Sequence, residues 1–202
     1  MPYLAVIQPP IPEEHKDGFL AQWPSTAAQI LAIPTVLGIS GGLVVGENGA
    51  PTSGFKFFET VAFATLEDEK AFADSEFAKE AAKKWAEKSG GAPLPKHTLY
   101  ECDDFPTDRA PKAFTQFSQL AGVDAAKGAE VKKAWEDLAA VLGKETWGGR
   151  AVDGAGGIGL IGWDSAEEAA AAYKNPAAKA ALDKYQSFGE VKDYLIKMEY
   201  SK

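Results

Sequence analysis

Residues 63–85 read FATLEDEKAFADSEFAKEAAKKW, and residues 163–185 read WDSAEEAAAAYKNPAAKAALDKY. Set one above the other, Phe63 falls on Trp163, Glu67 on Glu167, Ser75 on Asn175, Lys79 on Lys179 and Trp85 on Tyr185. Ala78, Ala81, Ala82 and Trp85 lie at i, i+3, i+4 and i+7, and Ala178, Ala181, Leu182 and Tyr185 repeat the spacing. Each stretch therefore predicts a helix with one apolar face. Ser75 and Asn175 are both good N-cap residues, and Pro176 suits a first helical position, so both helices should be interrupted at the same place. Alanine-rich helices match by chance more easily than most. The doubled glycines Gly41-Gly42 and Gly148-Gly149 carry the comparison further, because each pair opens the hairpin that precedes its helix. The first hairpin is longer around Pro51 to Phe57, and hairpin tips accept insertions.

Working outward, Tyr3 to Gln8 reads as a strand stopped by Pro9 and Pro10. Glu13 to Ile33 predicts a helix with Phe19, Leu20, Trp23, Ala27, Ile30 and Leu31 on its apolar side, bent or divided at Pro24. A run from Gly41 through Val45 stops at Glu47-Asn48-Gly49, and Phe55 to Ala64 returns, giving a hairpin with a loose tip. Ser89 to Gly91 should end the following helix, and Lys96 to Cys102 should form the last strand of the first pass. Asp103 to Pro111 reads as a connector. The second pass offers a strand at Ala113 to Leu120 and a helix at Lys127 to Leu142, with Val131, Trp135, Leu138 and Leu142 aligned. A hairpin follows, with its turn within Asp153 to Gly157 and its return strand at Ile158 to Trp163. The expected units are residues 1–104 and 105–202, each ordered strand, helix, strand, strand, helix, strand.

One such unit has helices on a single face of its sheet and leaves the other face bare. In the strand Phe57 to Phe63, both alternating faces are apolar, and Ile158, Leu160, Ile161 and Trp163 repeat this in the second half. Helices on one side and a second sheet on the other would satisfy both faces.

The double pass, the sequence Trp163-Asp164-Ser165-Ala166-Glu167-Glu168 and its counterpart Phe63 to Glu69 resemble the dimeric α+β barrel superfamily, nearest its antibiotic-biosynthesis-monooxygenase-like members. The resemblance covers nearly the whole chain through pattern, without a diagnostic motif. It implies an α+β fold of two tandem ferredoxin-like βαββαβ repeats whose antiparallel sheets pack face to face as an intrachain barrel. It also implies a range of activities that fold alone does not separate: cofactor-independent monooxygenases, cyclases, haem-handling enzymes and proteins without known activity. Histidines that some cyclases and haem-handling members carry near the second helix have no counterpart between Glu67 and Lys88 or between Glu167 and Gly189.

Twenty-nine acidic against 21 basic side chains give a formal charge of −8, which disfavours nucleic-acid and anionic-membrane partners. The 46% hydrophobic content over 202 residues is enough for a substantial core. Met1 to Pro10 lacks a secretory pattern, and no run is long and apolar enough to span a bilayer. Cys102 stands alone, so an internal disulfide or cysteine-based metal cluster is excluded. A cytoplasmic protein, monomer or homodimer, is the expectation.

Glu59 is the most informative polar residue, on the strand face shared by Phe57, Val61 and Phe63. Desolvation there would raise its pKa and suit it to general acid or base work on a phenolic or enolic molecule. A cross-strand cation or an open edge would instead make it structural. His97 begins its strand on the face of Leu99 and Glu101, where it could exchange protons near neutral pH or merely be solvated beside Lys96. His15 reads as surface, and two distant histidines give a metal site little support.

Gly154-x-Gly156-x-x-Gly159 has the spacing of a dinucleotide fingerprint but precedes a strand, so it reads as a turn. Gly157 and Gly159 leave space that could hold ligand or a closely packed helix. Asp103, Asp104 and Asp108 read as a solvated connector rather than a cation site. Tyr3, Phe57, Phe63 and Trp163 are the candidate substrate-binding aromatics. Two functions follow: a small enzyme without a bound cofactor, of monooxygenase or cyclase type, acting on a hydrophobic aromatic or polyketide-like molecule; or a non-enzymatic, stress-type barrel that binds a small apolar ligand. If a site exists, the halves should not share it, because Glu59 and His97 face Gly159 and approximately Asp193 in the other copy.

Overall fold

The computed structural model describes residues 1–88, 94–95, 97–103, 112–154 and 156–201. The expected helix end at Ser89 to Gly91, Lys96, most of the connector and the boundary between residues 104 and 105 lie outside these. Strand β1 (Tyr3–Ile7) stops short of Pro9 and Pro10, and a 3-10 turn at Glu13–His15 leads into helix α1 (Lys16–Leu31). Pro24 sits inside α1 without dividing it. It lies on the exposed side, opposite buried Trp23, Ala27 and Ile30, where water can reach the carbonyl left without its usual donor.

Strand β2 (Val36–Glu47) begins ahead of the glycine pair. Its tip is tighter than the composition suggests. Asn48 and Gly49 take φ of 50° and 78°, the left-handed pair of a two-residue turn, and pair Glu47 with Ala50 of the short β3 (Ala50–Pro51). Strand β4 (Phe57–Phe63) follows. Helix α2 (Leu66–Ala73) starts at a capping box, with Thr65 and Asp68 satisfying each other's backbone N–H, and α3 (Glu76–Lys88) starts at Ser75, whose Oγ accepts from Ala78 N–H at 3.2 Å. Strand β5 (His97–Cys102) completes the half.

The second half repeats the order as β6 (Phe114–Ala121), α4 (Gly128–Leu142), β7 (Thr146–Ala151), β8 (Gly156–Trp163), α5 (Ala166–Ala172), α6 (Pro176–Gln186) and β9 (Glu190–Ser201). The expected interruption recurs, with Asn175 Oδ1 accepting from Ala177 N–H at 2.9 Å and Pro176 at the helix start. Gly154 has φ of 74° and Gly156 opens a strand, so the glycine-rich stretch is a turn and not a phosphate loop.

All strands join one antiparallel sheet in the order β3-β2-β4-β1-β5-β7-β8-β6-β9, closed by pairing of β2 with β9. The barrel is thus β2-β4-β1-β5 joined to β7-β8-β6-β9, the same strand order twice, with β3 hanging outside. Tyr3 pairs with Phe63 and Phe114 with Trp163, which fixes the correspondence between halves. Gly41 lies beside Glu59, and Gly148 beside Gly159, so the two glycine pairs do occupy one slot.

Alternation sends Phe58 and Ala62 of β4 inward with Leu4, Val6, Phe117 and Ile196, while Phe57, Val61 and Phe63 point outward beneath α1. Phe58 and Phe117 meet across the interior with centroids 4.6 Å apart. Each such buried side chain contributes about 1.5–3 kcal/mol. Two further cores, one per half, fill the space between sheet and helices. The barrel interior is filled by those side chains where they meet. Among the described residues, no helix is long and apolar enough to cross a membrane.

Candidate functional site

Four residues form a row across the outer face of the first half: His97 pairs with Ile7, Ile7 with Glu59, and Glu59 with Gly41. Glu59 is outward because β4 alternates, and its neighbours Phe57 and Phe63 are buried at 1% exposure each. Among the described residues the carboxyl has no hydrogen-bond or ion-pair partner, although part of it remains accessible to solvent. Desolvation pushes its pKa from 4.5 up to about 7. A carboxyl so placed holds both protonation states near neutrality.

Next to it, Gly41 leaves a gap that an indole fills. A Cβ there would lie 2.5 Å from Trp23 Cζ2 and 2.9 Å from Phe57 Cε1. Trp23 packs edge-on to Phe57 at 5.0 Å, and its Nε1 is buried with no acceptor among the described residues. The unpaired acid thus stands on β4 beside Gly41 of β2, their Cα atoms about 5 Å apart, and the indole with the unpaired donor reaches down from α1 onto that glycine.

His97 shares the face but not the contact. Two strand spacings, about 10 Å, separate its Cα from that of Glu59. Its Nε2 is 3.3 Å from Glu69 Oε1 of α2, and its side chain is exposed. Tyr3 lies on the same face and donates from its hydroxyl to Glu101 Oε1 at 3.3 Å, while Arg150 donates to Glu101 Oε2 at 2.7 Å. Partial burial, and then the Glu101 carboxylate, raise the Tyr3 pKa. Trp163 is buried on the outer face of the second half, with Lys144 Nζ 5.0 Å from its ring centre, and is not brought to Glu59.

In the second half the corresponding row is Asp193, Ser118, Gly159 and Gly148. Asp193 stands where His97 does. The space at Gly159 belongs to helix packing: a Cβ would lie 2.2 Å from Trp135 Cε2. In each half a helix tryptophan rests on a glycine, but on neighbouring strands. Glu59 thus takes the place that Trp135 covers in the other half.

Sequence reasoning missed the chief polar cluster of the second half. A cavity of about 720 Å³ lies between α5, α6, the outer side of β9 and the Asn48–Pro51 tip of the first half. Within it Tyr173 donates to Gln116 Oε1 at 2.8 Å, Gln116 Nε2 to Asp193 Oδ1 at 3.4 Å, and Gln186 Nε2 to Asp193 Oδ2 at 3.2 Å. The corresponding first-half residues are Ala73 for Tyr173, Ala5 for Gln116 and Ala86 for Gln186. Only a position-by-position contrast between the halves could have exposed the cluster.

Cys102 is fully buried, and burial, then Asp103 and Glu101, push its thiol up to about 12. Of the acidic connector residues, Asp103 pairs with Lys132, while Asp104 and Asp108 lie outside the described residues. Among the described residues no group of three or more His, Cys, Asp or Glu side chains is placed to hold a metal ion.

No family model matches the chain, and no curated protein matches it in sequence. Solved structures share its fold. A proposed monooxygenase from Lactobacillus acidophilus NCFM superposes with a TM-score of 0.65 at 13% identity, covering 99% of this chain and 95% of that one. Another, from Fusobacterium nucleatum subsp. nucleatum, gives 0.68 at 8%, covering 100% and 94%. An anthrone oxidase-like protein gives 0.63 at 16%, covering 100% and 92%. At such identities the likeness is one of fold.

Proposed function

We propose that the chain is a small cofactor-independent enzyme, of monooxygenase or cyclase type, acting on a hydrophobic aromatic or polyketide-like molecule beneath the helices of its first half. The observation that carries this reading is the Glu59 carboxyl, unpaired among the described residues and titrating near 7. Burial makes its ionised form a stronger base than an ordinary carboxylate. Glu59 takes a proton from an acidic C–H or phenolic O–H, becoming neutral in surroundings that favour the neutral form. The negative charge passes to the substrate, where conjugation spreads it. Trp23 Nε1 donates to that anion, and Tyr3, Phe57 and Phe63 form the walls.

In the monooxygenase branch the carbanion forms a C–O bond to dioxygen, and the peroxide takes the proton back from Glu59 and loses water to leave a ketone, the substrate being the reductant; in the cyclase branch the anion closes onto a carbonyl, whose oxygen takes that proton. The fold shared with proposed monooxygenases and an anthrone oxidase-like protein supports this class of reaction. A non-enzymatic ligand carrier is the second reading, favoured by the second-half cavity and its unreactive amides. Oxygen uptake with anthrone as probe tests the first. The Glu59→Gln variant should lose about 10²–10⁴-fold in turnover while remaining folded, and wild-type kcat/KM should rise with pH through about 7 as the base ionises. Unchanged turnover in Glu59→Gln contradicts the assignment.

A further inference from the structure

We propose that the second-half cavity is a separate binding site for a small organic cation, a protonated amine carried on an apolar body. Its volume of about 720 Å³ is within the range of small-molecule sites. Its apolar walls include Val45, Ala169, Leu182, Val191 and Leu195. The polar end is built rather than incidental. Gln116 retains only 6% of its exposure, receives the Tyr173 hydroxyl and passes an amide proton to Asp193. Gln186 holds the other carboxylate oxygen.

The charge balance selects the ligand. Asp193 makes no ion pair with a cationic side chain among the described residues. Lys179, also in the wall, is committed to Asp183 at 3.0 and 3.2 Å. Two neutral amides fix the Asp193 carboxylate in place and leave its charge uncompensated, with unused lone pairs on both oxygens. An ammonium group supplies both the missing charge and the donors, and a charge-assisted hydrogen bond is about twice as strong as a neutral one. An anion would meet this carboxylate in a chain already at −8.

The site also needs both halves. Asn48 N–H donates to Asp193 O at 2.8 Å and Asp193 N–H to Asn48 Oδ1 at 3.0 Å, so the first-half hairpin tip is fastened at the cavity rim. The first half has alanines in place of Gln116, Tyr173 and Gln186, and His97 in place of Asp193. This set is therefore specific to one half.

Calorimetric titration of the full chain with tryptamine, and with indole-3-propionate as the acid of similar shape, tests the assignment. Tryptamine should bind at least tenfold more tightly than the acid. Asp193→Asn should weaken it at least tenfold. Ala170→Phe, which fills the cavity from an exposed wall position, should weaken it comparably, while Glu59→Gln leaves the affinity unchanged. Ala170→Phe carries the test if Asp193→Asn fails to fold. Equal binding of amine and acid, no binding at millimolar tryptamine, wild-type affinity in Ala170→Phe, or loss confined to Glu59→Gln overturns the proposal.

Discussion

Replacing Glu59 by Gln should change stability by an amount that depends on pH. In the unfolded chain the carboxyl titrates near 4.5, and in the folded protein desolvation raises it to about 7. Because the folded state holds its proton more tightly, the stability that goes with the neutral form is fully present below about 4.5. It is lost progressively as pH rises through about 7. At about 1.4 kcal/mol per pH unit, the whole loss is about 3 kcal/mol. That figure is a ceiling, since part of the side chain still meets water.

Glutamine keeps the shape and never ionises. The variant should therefore resemble the wild type at pH 4.5 and exceed it at pH 8 by up to about 3 kcal/mol, equivalent to roughly 6–12 °C in Tm for a chain of this size. Urea denaturation of both proteins at both pH values is the assay. Comparing variant with wild type at each pH cancels the titration of every other group. A difference that stays the same at pH 4.5 and pH 8, within about 0.5 kcal/mol, refutes the desolvated carboxyl.

Three other expectations follow from packing. Gly159→Ala should cost about 1–3 kcal/mol, measured by chemical denaturation, because the new methyl would lie 2.2 Å from the buried Trp135 ring. Phe58→Ala should cost about 3–5 kcal/mol and loosen the junction between halves, since its ring meets Phe117 at 4.6 Å; separate unfolding transitions for the two halves would reveal the latter. Cys102, with its thiol pushed up to about 12, should resist iodoacetamide at pH 8 until urea unfolds the chain.

The α+β fold was legible because its elements are written in local signals. Ser75 and Asn175 cap their helices as the alignment predicts, and the two glycine pairs occupy one slot because a hairpin strand must approach its neighbours closely in each half. The face of Glu59 followed from alternation alone. That it has no partner among the described residues did not, because that depends on what α1 places above it. That Pro24 does not divide α1 was hidden for a related reason: whether proline breaks a helix depends on whether the orphaned carbonyl reaches water. The space at Gly159 was visible in the sequence, but only the crossing of α4 decides that Trp135 fills it. The Tyr173, Gln116, Asp193 and Gln186 cluster draws on α5, β6, β9 and α6, and no window along the chain contains it.

If Glu59 is poised near neutrality, its carboxyl carbon reports it directly. An NMR titration of protein labelled with ¹³C at glutamate carboxyls, with Glu59→Gln to assign the signal, should show one resonance whose midpoint is about 7. A midpoint at the ordinary 4.5 would mean that the carboxyl is solvated or paired, and the proposed base would be lost.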